Sequence, residues 1–227
     1  MESSDILRRY TSLPVLIDML VRNAATLLSY QHWIDDNDRR ALQLYQDTLR
    51  YGFVGAMCLT QSAETFHHWS IFAPGDAGVC IVFDRKALTE HFRDRPHFMT
   101  RSVEYVLLDR IGAVNAEDIH LLPFLKRYGF RDEREFRIVG FAPDEAAAMG
   151  FEVRPALIRR VVFSPFVHPN LVNSARIALH AIPGWQGLEI GRSNLTNNET
   201  WQGALVEMVD RHGVIYGPWL PVEGSVD

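Results

Sequence analysis

The sequence predicts an α+β domain with a mixed or antiparallel central sheet flanked by helices. Three observations lead there. Helical patterns come first, apolar strand-like runs cluster in the middle, and the two do not alternate strictly as a doubly wound fold requires. The 227 residues are 47% hydrophobic and 22% charged, an ordinary globular composition with enough chain for a sizeable core. One domain is expected over residues 1–220, followed by a loose tail at 221–227.

The elements follow in order. Leu13, Leu16, Ile17, Leu20 and Val21 recur at the spacing of one helix face, with Ser12 as N-cap and Pro14 in the first turn. Arg8, Arg9, Tyr10 and Thr11 lead into that helix, from a short strand. Asp35, Asp36 and Asp38 precede a second helical pattern through Ala41, Leu42, Leu44, Tyr45 and Leu49, where acidic residues suit the positive helix end. The runs 53–59 and 78–83 read as buried strands, with one or two helical turns between them. A short helix at 86–92, a strand at 103–108 and a helix at 119–128 come next. Strands at 134–141, 158–163 and 188–192 surround a late helix at 169–181.

Net charge is −5 without a long basic run, which argues against nucleic acid as a partner. The start MESSDILRRY lacks the apolar core of a secretory signal, and no apolar run approaches the ~20 residues of a membrane span. A cytoplasmic location and no membrane partner are expected. Cys58 and Cys80 lie in apolar runs and read as buried free thiols.

The segment RDEREFRIVGF, 131–141, carries the most chemical information. Six of its first seven residues are charged, and its end is apolar. On a strand, Glu133, Glu135, Arg137, Val139 and Phe141 share one face. A buried carboxylate needs water or opposite charge. The row is therefore either a solvated strand end, a cleft that meets a ligand, or a buried ion-pair network. His67 and His68 make a thin metal site, because HExxH and CxxC patterns are absent. Nucleophile elbows, Walker loops and dinucleotide glycine fingerprints are absent too. Arg8 and Arg9 beside a helix start could hold an anion or could be surface arginines.

Several pieces stand in a telling order: RRYTSLPVLIDML at 8–20, HWSIFAPGDAGVCIVFD at 68–84, VEY at 103–105, Lys126 followed by DEREFRI at 132–138, and IRRVVFSP at 158–165. The set resembles the bacterial domain-of-unknown-function family numbered 2971, over about residues 6–195. Members of that family are similar to components of phage-defence and abortive-infection loci. Phe72 stands where the family usually has tyrosine, and Phe130 where tryptophan is common.

The layout is also similar to ADP-ribosyltransferase-like folds, in which NAD lies across a split sheet. That resemblance implies NAD or a related nucleotide as the candidate substrate, with no certain cofactor. It implies Glu135 or Glu133 as catalytic carboxylate, Arg9 or Tyr10 on phosphates or ribose, and Trp69 or Phe72 stacked on nicotinamide. Lys126 and Arg137 join the substrate-binding set. Two function classes stay open: a defence effector that transfers or hydrolyses ADP-ribose, and a non-enzymatic sensing or protein-binding module. An aromatic patch around Trp185, Trp201 and Trp219 is the expected mark of the second.

Overall fold

The computed structural model describes residues 5–114 and 118–212. They fall into two compact units, Met1–Ser193 and Asn194–Asp227, and the sequence alone marks no boundary at 193. The second unit carries α6 (Glu199–His212). The expected tail at 221–227, like Trp219, lies outside the described residues.

The first unit runs β1 (Ile6–Ser12), α1 (Leu13–Arg22), β2 (Ala24–Ser29), α2 (Asp36–Leu49), β3 (Phe53–Thr60), α3 (Phe66–Phe72), β4 (Gly78–Asp84) and α4 (Arg85–Phe92). It continues through β5 (Phe98–Ser102), β6 (Glu104–Val106), β7 (Leu125–Arg127), β8 (Glu135–Ala142), β9 (Ala148–Glu152), β10 (Ile158–Phe163), α5 (Pro169–His180) and β11 (Glu189–Arg192). The fold is α+β with a mixed sheet, as the sequence predicts. In the main sheet most strands pair antiparallel, while β10 and β11 are parallel; β6 and β7 form a separate two-stranded parallel sheet. Four strands escaped the sequence reading: β2, β5, β7 and β9. The expected helix at 119–128 is a 3-10 turn, Ile119–Phe124, and then β7. Pro123 inside that turn cannot continue a longer helix.

The sheet order is β11-β10-β4-β1-β3-β2-β9, with β8 and β5 added beyond β3. One edge of β3 pairs with β8 along its whole length, from Phe53↔Ala142 to Thr60↔Glu135. The other edge is shared. It meets β1 only at Arg8↔Thr60, and β2 only at Leu28↔Ala56 and Ser29↔Gly55. Between these contacts Met57, Cys58 and Leu59 have no strand partner on that edge among the described residues. The sheet splits there, with α1 bridging the two arms.

Alternation along the strands builds a core on each face. Met57, Leu59, Phe136 and Ile138 pack with Leu16, Met19 and Leu20 of α1. Val54, Ala56, Val139 and Phe141 pack on the other face with Leu42 and Tyr45 of α2. Helix α1 is rotated relative to the expected stripe: Met19 is buried, and Ile17 and Val21 are exposed. Ser12 occupies the N-cap position, but its side chain makes no capping hydrogen bond.

Asn23 ends α1 in the left-handed region at φ 49°. Its Oδ1 and the Leu20 carbonyl both accept from the indole Nε1 of Trp185, at 2.9 and 3.1 Å. Trp185 is 1% exposed, so it locks the helix end rather than forming a surface patch. Trp185→Phe removes the shared donor: Asn23 Oδ1 loses its indole partner, and the Leu20 carbonyl keeps only the Asn23 backbone N–H at 3.4 Å. Denaturant unfolding should then show a loss of about 1–3 kcal/mol; an unchanged midpoint would remove this lock from the account.

Candidate functional site

A cleft of about 1020 Å³ lies along the split in the sheet. That volume is at the upper end of small-molecule and cofactor sites, about 300–1,000 Å³. Its floor is β3 from Ala56 to Thr60, with Arg8, Arg9 and Tyr10 of β1 on one arm and Thr26 and Leu28 of β2 on the other. Lys126, Phe130, Glu133 and Glu135 form one wall. His67, His68, Ile71 and Phe72 come from α3, and Trp33, Asp35 and Asp38 from the entry to α2.

Under the acidic wall lies a network of five charges. Arg137 is 0% exposed. Its Nε donates to Glu135 Oε1 at 2.7 Å and its Nη2 to Glu135 Oε2 at 3.0 Å. The same Nη2 donates to Asp38 Oδ2 at 2.7 Å, and Nη1 donates to the Pro123 carbonyl at 2.8 Å. The guanidinium carbon also sits 5.1 Å from the Trp33 ring. Lys126 Nζ donates to Glu133 Oε2 at 2.6 Å and to Glu135 Oε2 at 3.1 Å, and lies 3.4 Å from Asp38. Its ammonium is 4.8 Å from the Phe130 ring. The Tyr105 hydroxyl accepts from the Glu135 backbone N–H at 2.8 Å, fixing the start of β8.

The two cleft carboxylates are driven apart electrostatically. Burial alone would raise Glu135, but the Arg137 guanidinium, its hydrogen bonds and the Lys126 ammonium hold the carboxyl at about 2. Burial raises Glu133, and Lys126 offsets only part of that rise. Opposed environments of this kind separate a fixed anion from a group able to take a proton. Because the Glu135 value is depressed, its pairing stabilises the fold above the ordinary glutamate range, about 4.3. That contribution is lost as pH falls toward 2.

Most sequence candidates meet in the cleft. Arg9, Tyr10, Phe72, Lys126, Glu133 and Glu135 all line it. Arg9 Nη1 is buried without a hydrogen-bond partner, and burial lowers the guanidinium to about 10. Phe72 is 41% exposed and lies on the wall.

Two candidates do not belong there. Trp69 is 0% exposed; its indole donates to Glu64 Oε1 at 2.6 Å and it packs edge-on against Tyr10, so no face is free to stack on a substrate. Arg137 does not line the cleft, being consumed behind Glu135. Glu133 also departs from the strand pattern. It closes a 3-10 turn, Tyr128–Glu133, and Arg134 at φ 42° separates it from β8. That kink, rather than strand alternation, brings both carboxylates to Lys126.

Other residues surfaced only in three dimensions. Cys80 is buried, but Cys58, expected buried, is exposed on the cleft floor. Protein atoms crowd its thiol and Glu135 lies beside it, so it is pushed well above the ordinary thiol value. Asp38 was legible in principle. It falls on the buried stripe with Leu42 and Tyr45, an odd place for an acid unless a cation waits opposite.

Protein-family models, curated proteins and solved structures contain no match to this chain. The site therefore has to be read from its own chemistry. Arg137→Met would leave Glu135 and Asp38 to share Lys126 with Glu133, without the guanidinium that binds them both. Stability at neutral pH should fall by about 3–5 kcal/mol. The deficit should narrow in acid, because unpaired buried carboxylates can then take protons. Equal unfolding midpoints at neutral pH, or a deficit that widens in acid, would contradict this.

Proposed function

We propose that the cleft binds NAD or a closely related nucleotide and that the protein breaks its N-glycosidic bond, passing ADP-ribose to an acceptor or to water. The observation that carries the reading is an ionised carboxylate, Glu135, held rigidly at the split of the sheet inside a nucleotide-sized cleft. The phase of the reaction that needs help is loss of nicotinamide. The C1′–N bond breaks and its electron pair goes to the pyridinium nitrogen, leaving positive charge spread over C1′ and the ring oxygen. A fixed anion beneath the ribose stabilises that charge, and it costs no reorganisation because Arg137 and Lys126 already orient it. Glu133, whose burial favours a proton, accepts the proton of the incoming O–H or N–H as that group bonds to C1′.

The remaining lining suits the rest of such a ligand. Arg9 offers an Nη1 without a hydrogen-bond partner for phosphate oxygens. Phe72 and Phe130 offer exposed ring faces for a base. A role in phage defence or as a toxin rests on the family resemblance alone.

A non-enzymatic, partner-binding module is the second reading. Trp201 on α6 favours it, being 67% exposed. Of the other tryptophans named for that patch, Trp185 is buried.

Glu135→Gln separates the two. The variant is nearly isosteric and keeps a hydrogen-bond acceptor toward Arg137. If the reading holds, the wild-type chain releases nicotinamide from NAD, and the folded variant does so at least about 100-fold more slowly. Full activity in a variant with native circular dichroism removes Glu135 from the mechanism. An inactive wild type that co-purifies with a protein supports the second reading.

A further inference from the structure

Asp38 has no assigned role in the reading above, and its location is unusual. It sits on α2, yet the residue is 4% exposed, whereas its neighbour Asp36 faces solvent. The helix does not need it as a cap, because Asp35 already accepts from the Asn37 backbone N–H at 2.9 Å. Burying a carboxylate is costly. An apolar side chain would serve the core beside Leu42 and Tyr45, and Arg137 would still have both Glu135 oxygens and the Pro123 carbonyl.

What Asp38 does is divide the available positive charge. Two cations, Lys126 and Arg137, face three carboxylates, Asp38, Glu133 and Glu135. The Arg137 Nη2 that binds Glu135 Oε2 also binds Asp38 Oδ2, at the shorter distance of the two, 2.7 against 3.0 Å. Lys126 is shared among all three acids. Groups facing this cluster from every packed element are few: Lys126 from β7, Glu135 and Arg137 from β8, Asp38 from α2, Tyr105 from β6, Cys58 from β3, and His68 of α3 near the Glu133 backbone.

We infer that Asp38 is a positioning residue of the cleft: it draws Lys126 and Arg137 toward α2 and thereby sets how much positive charge reaches Glu133 and Glu135. The inference rests on the proposed role of Glu133 as proton acceptor. Without Asp38 the two cations would serve the cleft carboxylates alone, and Glu133 would become a weaker base. This agrees with the direction in which Asp38 acts on Glu133, which is upward.

The test follows the carboxyl carbon of Glu133 by NMR in protein labelled at glutamate, alongside the pH profile of nicotinamide release from NAD. In Asp38→Asn the Glu133 titration should move down by about one pH unit, and the acid limb of the profile should move with it. Asp38→Glu, which restores the charge, should return both to the wild-type position. A folded Asp38→Asn protein whose Glu133 titrates as in wild type overturns the inference. Wild type alone gives a second test, needed if Asp38→Asn does not fold. Coupled sites titrate in two steps, so the Glu133 signal should show an inflection at the pH where the Asp38 carboxyl, followed in protein labelled at aspartate, takes its proton; a Glu133 curve with no inflection there overturns the proposal. The two readings fail separately. A shifted titration with no NAD cleavage keeps Asp38 and ends the NAD assignment, whereas NAD cleavage with an unshifted titration does the reverse.

Discussion

A fully buried guanidinium governs this structure. Arg137 stands in the middle of a central strand with no access to water. An uncompensated charge there would be untenable, so the fold must bring acceptors to it from several directions. Glu135 comes from its own strand, Asp38 from α2 ninety-nine residues away in sequence, and the Pro123 carbonyl from the turn before β7. Satisfying Arg137 fixes where α2 and β7 pack. It also fixes the orientation of Glu135, whose remaining surface meets the cleft.

The cleft itself is made by what the sheet leaves unpaired. β1 and β2 approach the same edge of β3, β1 touching it only at Thr60 and β2 only at Gly55 and Ala56. A continuous ladder would have filled this space with backbone. The short helix α1 holds the arms apart, and its far end is pinned by Trp185. Stability and site geometry are therefore coupled. The packing that keeps α1 in place also keeps the split open, and the ion network that holds α2 in place also aims Glu135.

Much of the fold was legible in the sequence because local patterns carried it. β3 and β4 are short apolar runs bounded by turn formers or polar residues, and α2 and α5 follow helical spacing with recognisable starts. What escaped reading had weak local signals. β2, β5 and β9 are half-exposed strands whose sequences, AATLLS, FMTRS and AMGFE, show no strong alternation. Pairing with neighbours, not propensity, makes them strands. The site divided in the same way. Glu133 and Glu135 drew attention through their charge density. Trp69 misled because an aromatic in a helical turn packs inward more readily than it waits for a ligand. Asp38 and Cys58 gain their meaning only from β8, which no local window contains.

The central claim is that Glu135, in the wall of the cleft, faces a substrate and does more than balance Arg137. The most direct measurement is a crystal structure of the protein soaked with carba-NAD, an analogue whose glycosidic bond does not cleave. The account predicts the nicotinamide-bearing ring lying over the split, with a hydroxyl within about 2.6–3.2 Å of a Glu135 oxygen and the diphosphate beside Arg9. An empty cleft at saturating analogue, or a ligand bound with no polar atom within hydrogen-bond reach of Glu135, would contradict it.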